Sequence, residues 1–297
     1  MSTNQIGRSK HKQTFKRTAA LVFFFLLAAL ASGFLFACSG ENGANEEKGP
    51  ADEKKEGEPA GQALAEIIPE LAYQDVGELA RHMPELKNGA LIFTFDDGMI
   101  TDYQVVKPIL EEKGLSAVTY VAPGFVNTPG FMNWDQIKSL HESGWDIECH
   151  SYSHANLKEK TEADIKAEME NVNEAFAEQG LEAPKHHALP FGEYDETALE
   201  MVLSYRETVR TADSQRNEYP PNHRVLHAID MSTHSTEVLE EHIDRAIKEN
   251  SLLILFTHDV EAEPFDYGIT TDKFKAVLDH ALKQGIDITT LSELFGD

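Results

Sequence analysis

At 297 residues, with 41% hydrophobic and 26% charged side chains, the chain has an ordinary globular balance and room for one large domain or two small ones. Its charge is unusual: 51 Asp and Glu against 26 Lys and Arg give a formal net charge of -25, which argues against nucleic acid as a partner because phosphates would be repelled. Two cysteines, Cys38 and Cys149, are too few for a disulfide framework, and no internal repeat or Gly-rich phosphate loop is present.

Residues 1–37 read as a signal peptide. Arg8, Lys10, Lys12, Lys16 and Arg17 supply positive charge without an acid, and the stretch from Thr18 to Ala37 is nearly all apolar. Its end, Leu35-Phe36-Ala37-Cys38-Ser39-Gly40, resembles a bacterial lipobox, which makes Cys38 the expected lipidation site and the link to a membrane. Phe36 stands where lipoboxes usually carry a small residue. An uncleaved transmembrane anchor is therefore the alternative, the stretch being about long enough to span. Both readings place the rest of the chain outside the cytoplasm. Residues 38–62, rich in Glu, Lys, Gly, Ala and Asn, cannot bury enough apolar surface to fold and read as a disordered acidic tether. Residues 63–87 form a helical lead-in, with apolar spacing over Leu64, Ile67, Ile68, Leu71, Val76 and Leu79 interrupted by Pro69.

From Asn88 onward, short apolar runs alternate with amphipathic segments, which predicts an α/β fold: a distorted (β/α) barrel of seven to eight parallel strands over 88–297. The expected strands are 90–95, 116–122, 145–149, 186–189, 207–211, 224–229, 252–257 and 286–289. The expected helices are 102–113, 134–143, 161–179, 195–204, 236–249 and 271–284, the first capped by Asp102 and ended by Gly114.

Three strand ends carry chemistry. Ala90-Leu91-Ile92-Phe93 stops on Thr94-Phe95-Asp96-Asp97-Gly98, two adjacent carboxylates that would repel unless a cation or hydrogen bonds held them ionised. Trp145-Asp146-Ile147-Glu148-Cys149 runs into His150-Ser151-Tyr152-Ser153-His154, two imidazoles four residues apart. With Asp97 these make a His-His-carboxylate set suited to a divalent ion, most naturally zinc, in a hydrolytic site. Cys149 points to the opposite face of its strand and is expected to be a small buried residue. Leu252 to Phe256 leads into Thr257-His258-Asp259, with His258 the candidate proton donor.

The order Thr94-Phe95-Asp96-Asp97-Gly98, Trp134-Asp135-Gln136, Gly144-Trp145-Asp146-Ile147, His150-Ser151-Tyr152-Ser153-His154, Leu189-Pro190-Phe191-Gly192 and Phe256-Thr257-His258 resembles the polysaccharide deacetylases (NodB-homology, carbohydrate esterase family four). The resemblance implies metal-dependent removal of N-acetyl groups from an N-acetylated glycan polymer. It implies Asp97, His150 and His154 as metal ligands, Asp96 as general base, His258 as general acid and the Phe191 backbone N–H as an oxyanion donor. Two departures stand out. Ala188 occupies the place of the arginine that orients the base in many members, a pattern similar to the poly-N-acetylglucosamine deacetylase subset, and Arg224 is the expected substitute partner of Asp96. Phe256 replaces a leucine, which would reshape the acetyl pocket. Asp230 is the candidate to orient His258. The competing readings are an amidohydrolase of smaller amides and a catalytically dead wall-binding lipoprotein.

Overall fold

A computed structural model describes residues 68–296. The expected signal peptide, Cys38, the tether and the start of the lead-in lie outside these residues. In chain order the strands are β1 (Ala90–Asp97), β2 (Val118–Val121), β3 (Asp146–Cys149), β4 (His186–Ala188), β5 (Thr208–Arg210), β6 (Val225–Leu226), β7 (Ile229–Asp230), β8 (Leu252–Thr257), β9 (Val260–Glu261), β10 (Ile269–Thr270) and β11 (Asp287–Ile288). The helices are α1 (Val76–His82), α2 (Lys107–Glu111), α3 (Trp134–Glu142), α4 (Glu162–Glu178), α5 (Glu196–Leu203), α6 (Thr236–Glu249), α7 (Thr271–Gln284) and α8 (Leu291–Phe295). Among the described residues no helix is long and apolar enough to cross a membrane.

One parallel sheet runs in the order β6-β5-β4-β3-β2-β1-β8-β7, with β11 beside β1. β6 pairs with β5 at one edge and β7 with β8 at the other, yet only His227 and Ala228 separate them in the chain, so this one stretch closes the sheet into a ring. The expected strand over 224–229 is thus broken in two, because it pairs first with one neighbour and then with the other. The backbone at the break is satisfied by Asn217, whose Nδ2 donates to His227 O (2.9 Å) and whose Oδ1 accepts from His227 N (2.7 Å). A second distortion lies beside β1, where β11 pairs with Ala90 and Leu91 and β2 pairs with Thr94 to Asp97.

Every residue of β1 is buried except the half-buried Asp97, as a parallel strand covered on both faces requires. Alternation sends Leu91, Phe93 and Phe95 outward against the helices and Ala90 and Ile92 inward with Val118, Tyr120, Ala188, Leu226, Ile254 and Phe256. The floor of the barrel is closed by α8, whose Leu291, Leu294 and Phe295 join the inner cluster. Ser292 ties α8 to the start of β3, its N and Oγ donating to Asp146 (2.9 and 2.5 Å). Within the described part of the lead-in, a single turn over Glu70–Tyr73 is followed by α1, whose Leu79 packs on the same inner cluster.

Asp102 does not cap a helix. It is fully buried in a π-turn over Asp102–Val106 that precedes α2, where Thr119 Oγ1 donates to its Oδ2 at 2.8 Å and burial pushes its carboxyl well above the usual range. A side chain that turns inward to meet β2 cannot reach the amides at the helix start.

Phe295, 3% exposed with its ring 5.7 Å from that of His186, carries much of the floor. Phe295→Ala should cost about 3 kcal/mol or more in urea unfolding. A loss below about 1 kcal/mol would show that α8 does not stabilise the barrel.

Candidate metal centre

The rim at the carboxyl ends of the strands is made of turns that depart from ordinary backbone. Strand alternation puts Asp96 inside the barrel; Asp97 (φ 74) and Gly98 (φ 72) then adopt left-handed conformations that end β1. After β3, Ser151 (φ 56) and His154 (φ 57) fold the segment so that both imidazoles face Asp97. That turn is clamped from α4 by Glu168, whose Oε2 accepts from the N–H groups of Tyr152 and Ser153, both at 2.8 Å, and whose Oε1 accepts from Ser153 Oγ at 2.7 Å.

Asp97 Oδ1 lies 3.5 Å from His150 Nε2 and 3.3 Å from His154 Nε2, and the three ligand atoms fall within 4.8 Å of one another. Tetrahedral bonds of about 2.0–2.1 Å place ligands about 3.3 Å apart, so the spacing matches a shared ion. Two further observations fit. Asp97 Oδ1 is buried with no hydrogen-bond partner, and His150 Nδ1 donates to Ala188 O at 2.8 Å, which leaves the Nε2 lone pair facing the carboxylate. Burial lowers His150 to about 4, so its imidazole is neutral, the form that binds a metal. Among the described residues this is the one group of three or more His, Cys, Asp or Glu placed to hold an ion. Cys149 is outside it: the buried thiol lies 3.1 Å from His187 Nδ1.

The expected partnership of Arg224 with Asp96 is wrong. Arg224 donates to the backbone carbonyls of Leu71, Leu203 and Arg206, which fastens the lead-in to the barrel. The partner is Arg210, on β5, whose Nη2 lies 2.5 and 2.6 Å from the two Asp96 oxygens. Arg210 is directly paired in register with Ala188, so the cation absent from β4 is supplied by the residue beside it on the next strand. Its guanidinium carbon lies over the rings of both Tyr120 (5.2 Å) and Phe256 (4.6 Å), which gives Phe256 a role against the cation. Burial works to raise the Asp96 carboxyl, but Arg210, with help from His150 and His258, outweighs it and holds the group below its ordinary value.

His258 follows β8 on the same rim, close enough to Asp96 to favour its ionised form. Asp230 does not orient it, since its Oδ1 accepts from Ser232 N instead. The orienting group is a backbone carbonyl, Tyr267 O, 3.3 Å from His258 Nδ1. Phe191 (φ 63) and Gly192 (φ 65) form a tight left-handed turn after β4 that sets the Phe191 ring 4.6 Å from that of His154. A side chain at Gly192 would put its Cβ 2.9 Å from the Ala212 methyl.

Fold and site together define a parallel α/β barrel with a His-His-carboxylate group placed to hold an ion and a buried carboxylate of lowered pKa beside it. Residues 84–208 match the family model described as polysaccharide deacetylase. The chain is 26% identical over 109 residues to the putative polysaccharide deacetylase YxkH of Bacillus subtilis (strain 168), covering 37% of this chain and 39% of that protein. It is 25% identical over 218 residues to a chitin deacetylase of Arthroderma benhamiae, covering 71% of this chain and 53% of that one. It therefore spans less than two thirds of the length of either relative. The chitin deacetylase structure from Colletotrichum lindemuthianum shares the fold at a TM-score of 0.55 with 21% identity, covering 71% of this chain and 89% of that one. Over residues 84–208 this chain is therefore similar to the polysaccharide deacetylases.

Removing Arg210 strands a buried carboxylate. Arg210→Met should cost about 3–5 kcal/mol at neutral pH. Because Asp96 is depressed in the folded state, the pair stabilises above the unfolded carboxyl pKa of about 3.9 and is lost as pH falls through the native value. Urea unfolding across this range should show the deficit of the variant shrinking toward acid; a deficit that does not change with pH would contradict the pairing.

Proposed function

We propose that the protein is a metal-dependent N-deacetylase of an N-acetylhexosamine polymer, such as peptidoglycan or poly-N-acetylglucosamine, with zinc as its ion. The observation that carries this reading is the convergence on one rim of Asp97, His150 and His154 with an ionised Asp96 and His258. Two imidazoles and a carboxylate suit zinc by donor type. The run Ala188-Leu189-Pro190-Phe191-Gly192 supports the poly-N-acetylglucosamine subset. The lipobox-like end at Cys38 and the acidic stretch after it support a lipid-tethered position outside the cytoplasmic membrane.

Asp97, His150 and His154 would hold a divalent ion, which would supply the Lewis acidity that acidifies water and polarises the amide carbonyl. Asp96, kept ionised by Arg210, takes a proton from water as the water oxygen bonds to the acetyl carbon. The Phe191 peptide N–H donates to the carbonyl oxygen as that oxygen gains charge. His258, its Nδ1–H directed at Tyr267 O, gives the Nε2 proton to the sugar nitrogen as the C–N bond breaks, leaving acetate and a free amine.

His258→Ala is the cleaner test of the proton transfers, because Asp96→Asn also leaves the buried Arg210 charge facing an amide. With zinc and N-acetylglucosamine oligomers, acetate release should fall about 10²–10⁴-fold in His258→Ala with the fold intact by circular dichroism. Retention of half the wild-type rate would remove His258 from the mechanism. In calorimetric titration His154→Ala should weaken zinc binding by at least about a hundredfold, and unchanged affinity would contradict the ligand assignment.

A further inference from the structure

Large hydrophobic side chains left exposed call for an explanation when they gather at a site. Among the described residues four stand out, Tyr73, Phe191, Tyr267 and Leu282, and two of these border the metal centre. Phe191 is 67% exposed with its ring against His154, and Tyr267 is 58% exposed with its ring centroid 5.9 Å from that of His258. Phe191 follows β4, and Tyr267 lies between β9 and β10 in the segment after β8. In the closed ring β4 and β8 are separated by β3, β2 and β1 on one side and by β5 and the β6–β7 stretch on the other. The two rings therefore stand across the mouth from each other, with the ion ligands and the proton-transfer groups between them.

The Tyr267 ring is exposed although its backbone is pinned. Tyr267 O accepts from Thr257 Oγ1 at 3.4 Å and faces His258 Nδ1, and Ile269 N donates to Asp259 O at 2.8 Å. Gly268 has no room for a side chain, since a Cβ would lie 2.6 Å from Asp259 O. A rigid backbone holding an aromatic ring in solvent costs little entropy when the ring is later covered. Phe125, which also meets His154, differs: it is half-buried against Phe131 at 4.8 Å and forms a wall.

We infer that Tyr267 is a stacking platform for a second pyranose ring of the substrate, opposite Phe191, so that a glycan chain crosses the mouth with its reacting unit over the metal centre. This rests on the deacetylase reading and deepens it. Pyranose rings present apolar C–H faces that an exposed aromatic covers well, whereas a small amide has nothing to place there. The site thereby selects an oligomer over a monomer.

The test compares acetate release by the zinc-loaded protein from the N-acetylglucosamine tetramer and monomer. Tyr267→Ala should lower the tetramer-to-monomer ratio of kcat/KM about tenfold, mostly through KM, while Tyr267→Phe and Tyr267→Trp keep the ratio. A ratio that stays constant in Tyr267→Ala, whether both rates fall together or neither moves, overturns the platform; a joint fall would mean the side chain acts through His258. Binding of the fully deacetylated tetramer, which has no acetyl group to lose, is measured in parallel and should weaken in Tyr267→Ala. If the wild-type protein releases acetate from no glycan, the deacetylase reading fails. The platform is then decided by that binding alone, upheld if Tyr267→Ala weakens it and overturned if it does not.

Discussion

The site depends on the ion pair between Arg210 and Asp96, buried inside the barrel. An unpaired carboxylate there would take up a proton and lose its charge, and Asp97 beside it adds like charge. Arg210 resolves this conflict by contacting both Asp96 oxygens while its guanidinium lies over the rings of Tyr120 and Phe256. Phe256 therefore serves the cation as well as the barrel interior. Because the ring of strands closes around this pair, the fold and the ionised state of Asp96 are stabilised by the same contact.

Floor and rim divide the work. At the floor, α8 seals the interior with Leu291, Leu294 and Phe295, and ordinary capping and packing suffice. At the rim, Asp97, Ser151, His154 and Phe191 all adopt left-handed backbone that non-glycine residues seldom take. Each of these turns brings a ligand or a peptide group toward the ion site, and Glu168 holds one of them from the outer helix layer. The strain is local and is supported by a rigid ring beneath.

Much of this was legible in the residues. The buried run ending on Asp96-Asp97, the His150 and His154 spacing and the apolar strand before His258 all lie in short segments whose chemistry reads directly, and the helices at 236–249 and 271–284 match their expected bounds. What escaped depended on neighbours distant in sequence. Arg210 faces Asp96 because β5 lies beside β4 with Ala188 in register, and register between those strands has no local signature. A charged residue in the short strand Thr208-Val209-Arg210 was the available hint. Arg224 looked as good from sequence and turned out to bind backbone carbonyls. The groups that orient His150 and His258 are carbonyls of Ala188 and Tyr267, which no side-chain pattern reveals. The break between β6 and β7 follows from ring closure and is equally invisible locally.

The most direct test is to strip the protein of metal and follow acetate release from an N-acetylglucosamine oligomer as zinc is returned in known amounts. The account predicts activity that rises in proportion to zinc and levels off at one equivalent per chain. Activity that persists in the stripped protein, or that does not level off at one equivalent, would contradict a single ion gripped by Asp97, His150 and His154.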